Sequence, residues 1–207
     1  MNYLAHLYLS DDAPLAVVGN LMSDFIKGRD RLYHMPVDLQ RGIMLHRFVD
    51  SYTDHHPVVH QCIRRISAKW GWYSGIIIDV YFDHLLAREW GRYSIVPLRE
   101  YCDLTHHILR DYWDQLDDDM REMASRLIAN DRLMSYYELQ GIEEALRSIS
   151  QLLTVRMPRH PIQLHEAIPD LIEHHDGLQH EFNDFFPQLI EFATQKNREL
   201  EPLVVAC

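Results

Sequence analysis

At 207 residues, 47% of them hydrophobic, the chain is long enough to bury one good core, and its length argues for a single domain over residues 1–207 rather than two. The formal net charge of −11 argues against nucleic acid as a generic partner, and Cys62, Cys102 and Cys207 are too widely spaced for a disulfide framework or thiolate metal site. No apolar run approaches ~18 residues, and no basic region precedes the short apolar stretch at the N-terminus, so a cytoplasmic protein without a membrane span is expected.

Apolar residues recur at three and four positions through most of the chain, with Pro14, Pro36, Pro57 and Pro97 standing where helices can begin. This pattern predicts an all-α, compact multi-helix fold. Helices are expected over 13–27, 38–53, 57–69, 74–90, 97–115, 118–129 and 131–155, with two more segments between 169 and 200. P-loop, dinucleotide-binding and nucleophile-elbow glycine motifs are all missing.

Chemistry-bearing residues follow the same order. His6 interrupts the apolar NYLAHLYL, and Asn20 and Asp24 lie four apart in GNLMSDFIKG; a satisfied core histidine and a helix-packing asparagine explain these equally well. In GIMLHRFVDSYTDHHP, His46, Asp50 and Asp54 recur every four residues and form one polar stripe on an apolar helix. Arg47 sits beside that stripe, where a guanidinium suits a bidentate grip on phosphate. An internal His46–Asp50 hydrogen bond is the plainer alternative.

The segment GIIIDVYFDHLLAREWG, residues 75–91, is apolar nearly all round apart from Asp79, Asp83 and His84, as a buried helix should be. Asp79 and Asp83 share a face, His84 lies ~100° further round, and buried carboxylates need a cation or strong hydrogen bonds. A divalent metal would meet that need; the alternative is that one carboxylate caps a neighbouring helix or pairs with an arginine. Near the C-terminus, EHHDGLQHEF offers His174, His175, Asp176 and His180 in polar surroundings that suit a solvated helix face. Charge is uneven as well: most excess acid follows residue 100, while Lys27, Arg29, Arg31, Arg41, Arg47, Arg64, Arg65 and Lys69 precede it, which is compatible with a local basic face.

In order and spacing, MNYLAHLYLS, GNLMSDFIKG, GIMLHRFVDSYTDHHP and DVYFDHLLAREW resemble the successive motifs of acyl carrier protein phosphodiesterases. The resemblance is fullest over residues 1–90; VRMPR near Arg156 and HHDGLQHEFNDFFP are similar to the family's later segments. It implies a divergent, HD-phosphohydrolase-like helical domain that holds a divalent cation, typically Mn2+ with Mg2+ or Fe2+ as alternatives, through His and Asp. The usual signature is reversed here, because the adjacent pair reads Asp83-His84. Carried over by residue type and helix face, the resemblance places Asp24, His46, Asp79, Asp83, His84 and His6 around the metal. It gives Arg47, Asn20 and Asp50 substrate-orienting or ligand-supporting roles.

The implied reaction is hydrolysis of the phosphodiester of holo-acyl carrier protein, releasing 4'-phosphopantetheine and apo-acyl carrier protein without a side-chain nucleophile. The acidic carrier would dock on the basic N-terminal half. Two alternatives share these residues: a metal-dependent phosphohydrolase of a nucleotide or other small phosphodiester, and a non-catalytic carrier-protein-binding module.

Overall fold

Proline marks helix starts in two ways. In a computed structural model, which describes residues 1–26, 28, 32–157 and 161–201, Pro14 and Pro57 occupy the first turn of α2 (Pro14–Leu21) and α4 (Pro57–Trp70). There the missing N–H costs nothing. Pro36 and Pro97 instead stand one residue ahead of α3 (Val37–His55) and α6 (Leu98–Asp111).

Further helices are α1 (Tyr3–Tyr8), α5 (Ser74–Arg88), α7 (Asp118–Ala129), α8 (Arg132–Ser135), α9 (Leu139–Arg156), α10 (Ile168–Glu173) and α11 (His175–Leu200). No strand occurs among the described residues, and none of their helices is long and apolar enough to cross a membrane.

Three boundaries differ from expectation. The helix expected over 13–27 stops at Leu21 and yields to a 3-10 turn at Ser23–Phe25. The helix expected over 131–155 is divided into α8 and α9, with fully buried Tyr136 in the break. The third difference is α1, six residues long and too short to show a 3.6-residue period or to be stable alone. It persists because the carboxylate of Asp83, on α5, accepts from the amides of Leu4 at 2.8 Å and Ala5 at 3.0 Å, two of the donors a helix start leaves unpaired.

α5 is the central rod. Ile77, Ile78, Phe82, Leu85 and Leu86 are fully buried, and Phe82 packs on Phe182 and Phe185 of α11. Burying a side chain of this size contributes about 1.5–3 kcal/mol. Glu181 of α11 takes a bidentate contact from Arg65 of α4, at 2.9 and 2.8 Å, and the thiol of Cys62 at 3.2 Å.

α2 and α3 pack more closely than ordinary side chains permit. A methyl group at Gly19 would overlap the Leu39 carbonyl, and one at Gly42 would overlap the Ala16 carbonyl and approach the Asn20 amide. Backbone therefore meets backbone, and Asn20 is carried to within reach of His46, one turn beyond Gly42.

Candidate metal centre

The start of the chain, α1, the 3-10 turn, α3 and α5 converge on a cavity of about 260 Å3, lined by Met1, Asn2, Tyr3, His6, Asp24, His46, Asp50, Asp54 and Asp79. Four of these are aspartates and two are histidines, and none is Lys or Arg. Such a lining attracts cations and repels anions.

At its centre lie His6, His46 and Asp50, whose potential ligand atoms all fall within 4.8 Å of one another. The two imidazoles stack with centroids 3.8 Å apart. His46 Nε2 lies 3.1 Å from Asp50 Oδ2 and 3.6 Å from Asp24 Oδ1. Its other nitrogen, Nδ1, is 3.2 Å from Asn20 Oδ1, so an Nδ1–H donated there leaves Nε2 as the nitrogen that faces the carboxylates. The Asn20 amide in turn donates to the His6 carbonyl at 2.8 Å and to Ser10 Oγ at 2.7 Å. One buried asparagine thus aligns both imidazole-bearing elements.

His6 is 3% exposed, and its Nε2 lies 3.0 Å from Asp50 Oδ1. The alignment is too poor for a hydrogen bond, so both ring nitrogens are buried without a hydrogen-bond partner. Burial lowers the His6 pKa to about 4, despite the nearby Asp50 carboxylate, which keeps the ring neutral and its lone pair available. Burial also opposes charging of His46, yet the carboxylates of Asp24 and Asp50 beside it raise its pKa to about 9. For Asp50 burial works in the opposite direction, but the two histidines hold the carboxyl well below the usual range; the His46 imidazole beside Asp24 lowers that carboxyl too. Protonated His46 therefore serves as counter-ion to the carboxylates, a role that a divalent cation fits better. Neutral nitrogen and hard carboxylate oxygen on one cavity form a donor set suited to Mn2+, Mg2+ or Fe2+.

The expected site residues divide between this cavity and other places. His6, Asp24, His46 and Asp79 line it, as does Asp50, which was expected in a supporting role. Asp79 stands at the edge, 3.2 Å from the Met1 amino group. Asp83 and His84, expected beside Asp79 on a shared cation, are not brought into the cavity. Asp83 is spent on the amides of α1, the helix-capping alternative open at sequence level. His84, ~100° further round α5, has Nδ1 2.8 Å from the Tyr136 carbonyl. Arg47, expected to grip phosphate, is exposed and donates to the Ile26 carbonyl at 2.8 Å, which ties α3 to the segment after Asp24. Lys27, Arg29 and Arg31 lie outside the described residues, as do Pro158 and Arg159 of VRMPR. The histidines of α11 form no cation cluster among the described residues; His175 meets the Tyr81 hydroxyl and His180 faces Asp184. Sequence reasoning took only His6 from MNYLAHLYLS and passed over Asn2 and Tyr3, which reach the cavity because α1 is held against α5.

A family model described as acyl carrier protein phosphodiesterase matches residues 1–189. Relatives bearing that name come from Enterobacter sp. (strain 638), 30% identical over 97% of this chain and 100% of its own length, and from Photorhabdus laumondii, 29% identical over 95% and 97%. Another, from Escherichia coli O6:H1, is 29% identical over 95% of this chain and 99% of its own. No solved structure matches the chain.

Proposed function

Because this chain belongs to the acyl carrier protein phosphodiesterase family, we propose that it hydrolyses holo-acyl carrier protein to 4'-phosphopantetheine and apo-acyl carrier protein in the cytoplasm, as one domain dependent on a divalent cation. The observation that carries the metal dependence is the neutral, buried and unpartnered imidazole of His6 facing His46 and Asp50 in a cavity of four carboxylates. His6, His46 and Asp50 would hold the cation, with Asp24 next to them and Asp79 at the edge. Mn2+ is the first choice, with Mg2+ and Fe2+ as alternatives. Bound there, a divalent cation offsets phosphate charge and acidifies water.

The protein's own part is orientation. Asn20 fixes the His46 tautomer and, through the His6 carbonyl, the placement of α1. The paired imidazoles confine the donors to one side of the cavity, and the carboxylates of Asp24 and Asp54 are exposed to accept a proton from water. No serine or cysteine lines the cavity, in keeping with direct attack by water on the phosphodiester.

Incubating metal-stripped protein with and without Mn2+ and following phosphopantetheine release from holo-carrier protein by mass spectrometry tests this proposal. Release only in the Mn2+ sample is the expected result. Turnover of small phosphodiesters alone would favour the broader phosphohydrolase alternative, and turnover undiminished in chelator would remove the cation from the mechanism.

A further inference from the structure

An anionic phosphodiester entering this cavity meets Asp24, Asp50, Asp54 and Asp79. The wall formed by the start of the chain and α1, namely Met1, Asn2, Tyr3 and His6, contributes no carboxylate. Three groups on that wall already have close polar neighbours. The Met1 amino group lies 3.2 Å from Asp79, the Asn2 amide donates to the Tyr136 hydroxyl at 3.1 Å, and His6 faces Asp50. The Tyr3 hydroxyl has no hydrogen-bond partner among the described residues, while its ring packs against the core. A phenol anchored by its ring, with a free donor in a cavity of acceptors, is arranged to meet something that enters from outside.

We propose that Tyr3 is a substrate-binding residue whose hydroxyl donates a hydrogen bond to a non-bridging oxygen of the phosphodiester. The proposal rests on the phosphodiesterase function proposed above. Burial, then the charge of Asp24, raises the hydroxyl's pKa, with Arg132 opposing, so the group remains a donor at neutral pH. The Tyr3 hydroxyl therefore offers the phosphate a hydrogen-bond donor on the wall that contributes no carboxylate.

Wild type, Tyr3→Phe and Tyr3→His, each loaded with Mn2+, would be assayed on holo-carrier protein. Mn2+ affinity, thermal unfolding and inhibition by inorganic phosphate would be measured on the same samples. Tyr3→Phe should lose about 10- to 100-fold in kcat/KM, the effect of one hydrogen bond to a charged group, and should bind inorganic phosphate more weakly. Its Mn2+ affinity should be unchanged and its Tm within about 2 °C of wild type; Tyr3→His, which retains a ring and a donor, should recover part of the loss. Unchanged kcat/KM in Tyr3→Phe overturns the proposal. A loss matched by equal loss of Mn2+ affinity or Tm, including failure to fold, also overturns it, because an unpartnered hydroxyl has no structural contact to give up. If wild type itself releases no phosphopantetheine, the phosphodiesterase function fails and the Tyr3 assignment with it. An active wild type beside an unaffected Tyr3→Phe rejects the Tyr3 assignment alone.

Discussion

Two aspartates of similar sequence context serve opposite ends. Asp50 faces the cavity between two imidazoles, so Asp50→Ala should abolish Mn2+ binding and turnover while leaving the helical fold intact; calorimetric titration showing an unchanged Mn2+ affinity would remove it from the ligand set. Asp83 is fully buried and its pKa rises to about 7, because burial outweighs the two backbone amides it accepts from. An unfolded aspartate ionises near ~3.9. Between these values the native protein binds more protons than the unfolded chain, so this group's contribution to stability falls as pH rises from about 4 to 7 and is constant above. Asp83→Asn removes that dependence. The Tm advantage of wild type over Asp83→Asn should therefore be larger at pH 5 than at pH 8, and a gap independent of pH would show that Asp83 does not titrate in this window. The residue types around the cavity were legible because charge interrupts apolar helix faces at 6, 46, 50 and 79. Their partition was not, because helical spacing fixes which residues share a face and leaves open what that face meets. Asp83 and Asp79 share a face of α5, yet one caps a helix 78 residues or more distant in sequence.

At the scale of elements, the apolar period and the prolines located most helices, while contacts between elements determined those that were missed. α1 exists through the cap supplied by α5, and α8 and α9 separate where Tyr136 turns into the core. The pairing of α2 with α3 is legible only in part: Gly19 and Gly42 are visible, but their close approach to Leu39 and Ala16 is a tertiary fact. Gly42→Ala forces the two backbones apart, at a cost of about 1–3 kcal/mol and roughly 3–10 °C in Tm. The same displacement parts Asn20 from His46, so Mn2+ affinity should fall as well. Gly75→Ala is the matched control, since its added methyl meets nothing and a helical alanine is preferred. Thermal unfolding and Mn2+ titration of both variants check the argument, and a Gly42→Ala protein with wild-type values would mean that the helices slide without consequence for the site.

For the whole molecule, a net charge of −11 opposes any acidic macromolecular substrate unless positive charge is gathered locally. Several cations of the N-terminal half are already committed: Arg41 to Asp11 and Asp38, Arg65 to Glu181, Lys69 to Asp170. Neighbouring Arg64 is exposed. The adjacent pair Arg64-Arg65, uniform in sequence, is therefore divided in function, one arginine bracing α4 to α11 and the other free to act at a distance. Arg65→Glu sets like charges against the nearly buried Glu181, and should cost roughly 2–3 kcal/mol, somewhat below the ~3–5 kcal/mol of a fully buried pair. Its Tm should fall whatever the substrate. Arg64→Glu should leave Tm and the hydrolysis of a small model phosphodiester unchanged but raise KM for holo-carrier protein several-fold at low salt. Salt screens attraction and repulsion alike, so the sign of the wild-type response separates the two cases. If local attraction governs docking, KM for the carrier rises with salt in wild type and less steeply in Arg64→Glu. If the overall negative charge governs it, KM falls with salt in both proteins, and the basic face has no part in recognition.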